Sequence, residues 1–214
     1  MHRSQILWLI FGGIGLTEAQ QPASLCAAKA VKEGGNTLIE KIPAESVQEY
    51  GFDSLEAVQT ATRGEPYRLL AISPQSLANY VPGNTLDSLL SQTALWYFPL
   101  LVNGEEKAFL VVEEMPGFPC RVVSLGYVRL ARQIQIARLG GSRAIEQKNR
   151  LVVVYQAHEF FLADAATGPN KLYSLRQTTS QTKGGSREVS NLLDDVVSRL
   201  QPVVEQNLKQ GFLP

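Results

Sequence analysis

The sequence is poor in the residues from which metal and nucleophile sites are built. It holds two histidines, and His2 belongs to the extreme N-terminus. His158-Glu159 with Asp164 therefore lacks the further nitrogen or sulfur ligands that a zinc centre recruits, and His158 and Glu159 read as strand residues near solvent. Neither sign of charge is in excess, since 20 basic residues face 20 acidic ones. That balance gives no basic surplus for a phosphate backbone, so no nucleic-acid partner is expected. Phosphate loops are missing as well: Gly140-Gly-Ser-Arg143 and Lys183-Gly-Gly-Ser-Arg187 lack the frame in which a Lys and a Ser or Thr follow the second glycine. The acidic doublets Glu105-Glu106, Glu113-Glu114 and Asp194-Asp195 fall in a turn, at a strand end and on a solvated helix face, which argues against a carboxylate-pair hydrolase. There is no internal sequence repeat.

Long apolar runs are also lacking. The run Ile6 to Leu16 is far shorter than the roughly 20 residues that span a bilayer, but fits the roughly 7–15 of a signal-peptide core. Arg3 precedes it, glycines 12, 13 and 15 loosen it, and Thr17-Glu-Ala19 supplies a small residue before a cut. Residues 1–19 are thus expected to be a signal peptide cleaved after Ala19. Leu25 before Cys26 does not fit a lipid-modification signal. The mature chain is expected to be exported, periplasmic or extracellular, and soluble, with no stable membrane insertion after cleavage.

Two cysteines in an exported chain are expected to pair as a Cys26–Cys120 disulfide. Closing so long a loop stabilises by roughly 4 kcal/mol in the chain-entropy model. A peptidase built on Cys120 and His158 is the rival reading, but Cys120 follows Pro119 and enters a strand, without a helix N-terminus to activate its thiol.

Residues 20–50 read as a loosely structured lead-in, broken at Gly34-Gly35-Asn36, with a short strand at Thr37–Ile42. Residues 51–214 read as a single domain. Asp53 is placed as the N-cap of a helix through Leu55, Val58 and Ala61. Tyr67–Ile72 reads as a buried strand, Ser73-Pro74 starts a helical turn to Asn79, and Thr85 caps a short helix. Leu95–Val102 and Lys107–Glu113 flank an Asn103-Gly104 hairpin, with Pro99 making the first strand peripheral or broken. Cys120–Leu125 returns antiparallel, and Tyr127–Leu139 forms a helix with Ile136 off its apolar face. The β-prone run Leu151–Leu162 is turned back at Thr167–Asn170 into Lys171–Leu175. Gln177–Ser186 reads as a mobile connector. The last helix carries Val189, Leu192, Leu193, Val196, Val197 and Leu200 on one face, with Pro202 expected to kink or end it.

The expected class is α+β: a mainly antiparallel sheet of about five or six strands, helices packed on one face, and a long C-terminal amphipathic helix. No catalytic, cofactor or metal residue is assigned. Arg121, Arg129, Arg132, Arg138 and Arg143 make a locally basic stretch, and Arg129 and Arg132, with Trp96, are the candidates for contact with a protein or peptide partner. For Trp96 a place in the core competes with that role. The leading function is an exported, non-enzymatic binding or interaction domain. The alternatives are a protease-inhibitor or pro-region-like module, by analogy of architecture alone, and a hydrolase of unrecognised type.

Overall fold

The computed structural model describes residues 23–140, 149–164, 171–175 and 190–210. The expected cleavage site, the Thr167–Asn170 turn, the Gln177–Ser186 connector, Arg143 and the Lys183–Arg187 loop lie outside them.

The chain enters on helix, not on a loose lead-in. Ser24 Oγ accepts the Ala27 N–H at 3.1 Å and opens α1, Leu25–Ala30. This continues through a π turn, Val31–Gly35, into α2, Asn36–Glu40, where a strand at 37–42 is expected. Gly34 and Gly35, expected as a break, instead lie within the helix where it packs closely against the sheet. A Cβ on Gly35 would stand 2.9 Å from Leu110 Cδ1, and one on Gly34 would stand 3.2 Å from Val122 Cγ2. Tertiary packing at these two positions overrides the low helix propensity of glycine. The next helix, α3, spans Leu55–Thr60, and its cap is Ser54, whose Oγ accepts from Ala57 N–H at 3.1 Å, rather than Asp53.

Among the described residues nine strands follow: β1 Thr62–Arg63, β2 Tyr67–Ile72, β3 Leu90–Val102, β4 Glu105–Glu113, β5 Arg121–Gly126, β6 Asn149–Val154, β7 Glu159–Asp164, β8 Lys171–Ser174 and β9 Ser190–Leu192. Their order is β5-β4-β3-β2-β6-β7-β8-β9, with β1 paired to β3. Every pairing is antiparallel except β2 with β6, which run parallel with Leu69 opposite Leu151. The fold is thus α+β with a mostly antiparallel open sheet, and it has more strands than expected. One reason is that the 151–162 run breaks at Tyr155–Ala157, where His158 turns the chain at φ 51°, and folds on itself as β6 and β7. Another is that Ser190–Leu192, expected within the last helix, is a strand.

The path consists of two four-stranded meanders, β2 to β5 and β6 to β9, back to back across the parallel pair. Such an order is what a two-fold axis lying in the sheet along the strands would produce, and it exchanges the two faces. Accordingly, beyond the short α4, Pro74–Ala78, that follows β2, α5, Val128–Gly140, packs on one face and α6, Leu193–Lys209, on the other. This corrects the expectation of helices on a single face. The central strands are apolar on both sides: Leu69 and Ala71 of β2, Phe109 and Val111 of β4, and Leu151 and Val153 of β6 meet Leu130, Ala131 and Ile134 of α5. The alternate residues Ile72, Val152 and Val154, with Phe161 of β7, meet Val196, Val197 and Leu200 of α6. In the other half, Trp96, Phe98, Leu100, Leu110 and Val112 meet Ala27, Val31 and Val58. Strands buried on both faces require cover on both.

Two prolines sit where the sequence argues against them. Pro99 lies inside β3, between β4 and the line of β1 and β2, and not at an edge. Gly64 donates to the Pro99 carbonyl at 2.9 Å, while the return bond has no donor. The break between β1 and β2 falls at this point, so the missing N–H meets no continuous ladder. Gly64 is required there: a Cβ would come within 2.9 Å of Pro99 Cγ. Pro202 lies within α6 without ending it. It is on the exposed side, and buried Leu200 and Val204 anchor the helix before and after it. The Asn103-Gly104 turn is as expected, with φ 53° and 81°.

Candidate functional site

A cleft of about 710 Å³ opens at one end of the N-terminal half, within the roughly 300–1,000 Å³ of small-ligand sites. It lies where the helical cover is interrupted between Glu40 and Leu55. Chain reversal after α2 and the entry into α3 leave Ile39, Ile42, Leu55 and Val58 facing Leu100 of β3 across a gap. Ile42, Val58 and Leu100 belong to the core, whereas Leu55 is 41% exposed, so the floor is apolar and one wall opens to solvent. Asn36, Gln59 and Arg63 bring polar groups to the rim, with Glu40 on the same lining. Arg63 Nη2 donates to Asn36 Oδ1, a neutral partner. Among the described residues no carboxylate pairs with Arg63.

Three polar clusters lie outside the cleft. Glu106, expected in a turn, is buried at the start of β4. Its Oε1 accepts from Tyr67 OH and from Arg138 Nη1, each at 2.8 Å, while Oε2 has no hydrogen-bond partner. Burial outweighs the Arg138 guanidinium and holds the Glu106 carboxyl above its usual range. Burial likewise pushes the Tyr67 phenol up. Glu159, expected near solvent, is 7% exposed and takes a bidentate pair from Arg199 of α6, at 2.7 Å and 2.9 Å. The third cluster joins Arg68, Trp96 and Glu114: Arg68 Nη1 and Trp96 Nε1 donate to one Glu114 oxygen at 2.5 Å and 2.6 Å. A hydrogen bond from Ser24, then those from Trp96 and Arg68, hold the Glu114 carboxyl below its usual range. Each of these ties a helix or the chain entry to the sheet, and none opens into the cleft lining.

Cys26 and Cys120 lie at disulfide distance, with S–S 2.10 Å and Cα–Cα 5.6 Å, and they tie α1 to the start of β5. Arg129 and Arg132 are exposed one turn apart on α5, with no salt bridge among the described residues, and Ile136 beside them is 55% exposed. Trp96 is 2% exposed beneath the N-terminal helices, so its ring presents no face to a partner. The structure therefore does not bring Trp96 together with the two arginines. His158 is exposed in a left-handed turn, on a different element from Cys120. Among the described residues, no three His, Cys, Asp or Glu side chains gather to hold a metal ion, and no helix is long and apolar enough to cross a membrane.

The cleft residues Asn36, Leu55 and Arg63 escape sequence reasoning. Arg63 follows a helix in a two-residue strand, which carries no periodic signal, and Asn36 is disguised by the preceding glycines. No protein-family model, curated protein or solved structure matches the chain.

Proposed function

We propose that this chain is an exported, non-enzymatic binding domain that holds a segment of another polypeptide in the cleft between α2, α3 and β1. The observation that carries the reading is the cleft itself, with an apolar floor, a polar rim and an exposed apolar lip at Leu55. A site of that composition gains affinity from apolar burial and orientation from a few polar groups. The export half of the reading is supported by the signal-like start of the sequence and by the Cys26–Cys120 pair, since bridges persist in oxidising compartments.

The test is site-specific photo-crosslinking in the producing cell, with a benzophenone amino acid placed at Leu55 or at Ile136. A polypeptide adduct from position 55 and none from position 136 is expected. Equal adducts from both positions, or none from position 55, would overturn the assignment of the cleft.

A further inference from the structure

We infer that the occupant of the cleft is an extended peptide that adds as a strand along β1, places an apolar side chain on the cleft floor and delivers a carboxylate to Arg63. This rests on the binding reading above and gives it a ligand class.

The argument starts from the pairing of β1. Thr62 lies opposite Leu101 and Arg63 opposite Leu100, and the next residue, Gly64, donates its N–H to Pro99 O. In an antiparallel ladder, the residues that bond inward alternate with residues whose N–H and C=O point away. Gly64 bonds inward, so the Arg63 N–H and C=O point away from β3. Among the described residues β1 pairs with β3 alone, and Thr62 and Arg63 are both exposed. The Arg63 backbone thus offers one donor and one acceptor at an edge that no other described strand pairs, the arrangement used when a peptide extends a sheet.

The same residue supplies the charge. Arg63 lies opposite Leu100, a cleft-floor residue, and lines the cleft. A guanidinium has five N–H donors, and the neutral Asn36 Oδ1 accepts from one of them. Donors remain for a carboxylate, which matches the planar fork in a bidentate pair. Glu40 on the same lining disfavours a doubly charged group, so a carboxylate is preferred to a phosphate. Because side chains alternate along an added strand, a peptide paired at Arg63 presents every second side chain to the cleft side. An apolar residue there meets Leu55, Val58 and Leu100. The carboxylate comes either from the peptide C-terminus or from an acidic side chain.

The experiment uses the full chain and a fluorescein-labelled extended peptide of about eight alternating valine and threonine residues, ending in leucine with a free carboxylate, read by fluorescence anisotropy. Binding is expected, weakened about tenfold or more by Arg63→Gln, by Leu55→Glu or by N-methylation of the amides near the peptide C-terminus, and unchanged by Arg129→Gln. Thermal melts of each variant separate lost binding from lost folding. Amidating the C-terminus distinguishes the two carboxylate sources: if binding is lost, the terminus is the source, and if a penultimate glutamate restores it, an acidic side chain serves. Equal binding by wild type and Arg63→Gln, or indifference to N-methylation, would overturn the inference. Crosslinks at position 55 with no binding of any peptide would overturn it while leaving the binding reading in place. Absence of both would remove the two together.

Discussion

The C-terminal half of the sheet is closed on its α6 face by one continuous 17-residue helix, whose Leu193, Val196, Val197, Leu200 and Val204 are all buried. On the same face the N-terminal half, which has the same succession of four antiparallel strands, is covered by one helical run, Leu25–Glu40, interrupted by the π turn, and then by the separate six-residue α3. A long amphipathic helix buries an unbroken stripe and leaves no gap. The N-terminal run ends at Glu40 and the chain returns to α-helix only at Leu55, and the cleft beside β1 lies at that interruption of the cover. The two halves are also fastened differently. The N-terminal cover is fastened by Cys26–Cys120 and by close approach to the sheet at Gly34 and Gly35. In the C-terminal half, Arg199 and Glu159 complement a full apolar face.

The largest expected effect comes from cutting the covalent fastening. The pair closes a 94-residue separation, so replacing both cysteines by serine should cost about 4.7 kcal/mol in the chain-entropy account. Native-state proteolysis should then cut first within residues 25–60, with α6 still protected. Initial cutting within α6 would contradict the contrast.

Next in size are leucine truncations in the two covers. Leu200 is 0% exposed, so Leu200→Ala should lose about 3 kcal/mol in denaturant unfolding, from lost transfer energy and the cavity left behind. Leu55→Ala, at the open lip of the cleft, should change stability by less than about 0.5 kcal/mol. Comparable losses would mean that the lip is packed as tightly as the closed half.

The smallest effect is a difference of sign with pH. Glu106 is held above its usual range by burial, so the folded state binds more protons than the unfolded chain just above that range. Its contribution to stability therefore falls as pH rises through that window. Glu114 is held below its usual range, so its contribution is present above that range and is lost as pH falls through the lowered value. Glu106→Gln should flatten the alkaline side of a midpoint-versus-pH curve and Glu114→Gln the acid side. A shift on the same side in both variants would refute one of the two environments.

Much of the strand framework is legible in the sequence. Tyr67–Ile72, the Asn103-Gly104 hairpin and the return along 121–125 all show period-two or continuous apolar patterns beside turn residues, and these signals are local. What escapes depends on the partner across the space. Pro99 is tolerated inside the sheet because the facing strand breaks at Gly64, and Gly34-Gly35 stays helical because Leu110 and Val122 crowd it. Glu106 and Glu159 are buried because arginines from α5 and α6 reach them. Of the candidate contact residues, Arg129 and Arg132 are at the surface and Trp96 is not. A tryptophan in an apolar strand carries no local mark of which face it takes, since that depends on register. The cleft is legible least of all, because it is a space between elements and not a pattern within one.

The most direct test of the peptide-binding cleft is residue-resolved amide hydrogen exchange on the full chain, with and without the leucine-terminated peptide. The Arg63 amide and those of α3 should slow on binding, while Val123, on the edge strand β5 across β3 and β4 from β1, should exchange at an unchanged rate. Protection appearing at β5 or along α5, with Arg63 unaffected, would contradict the account.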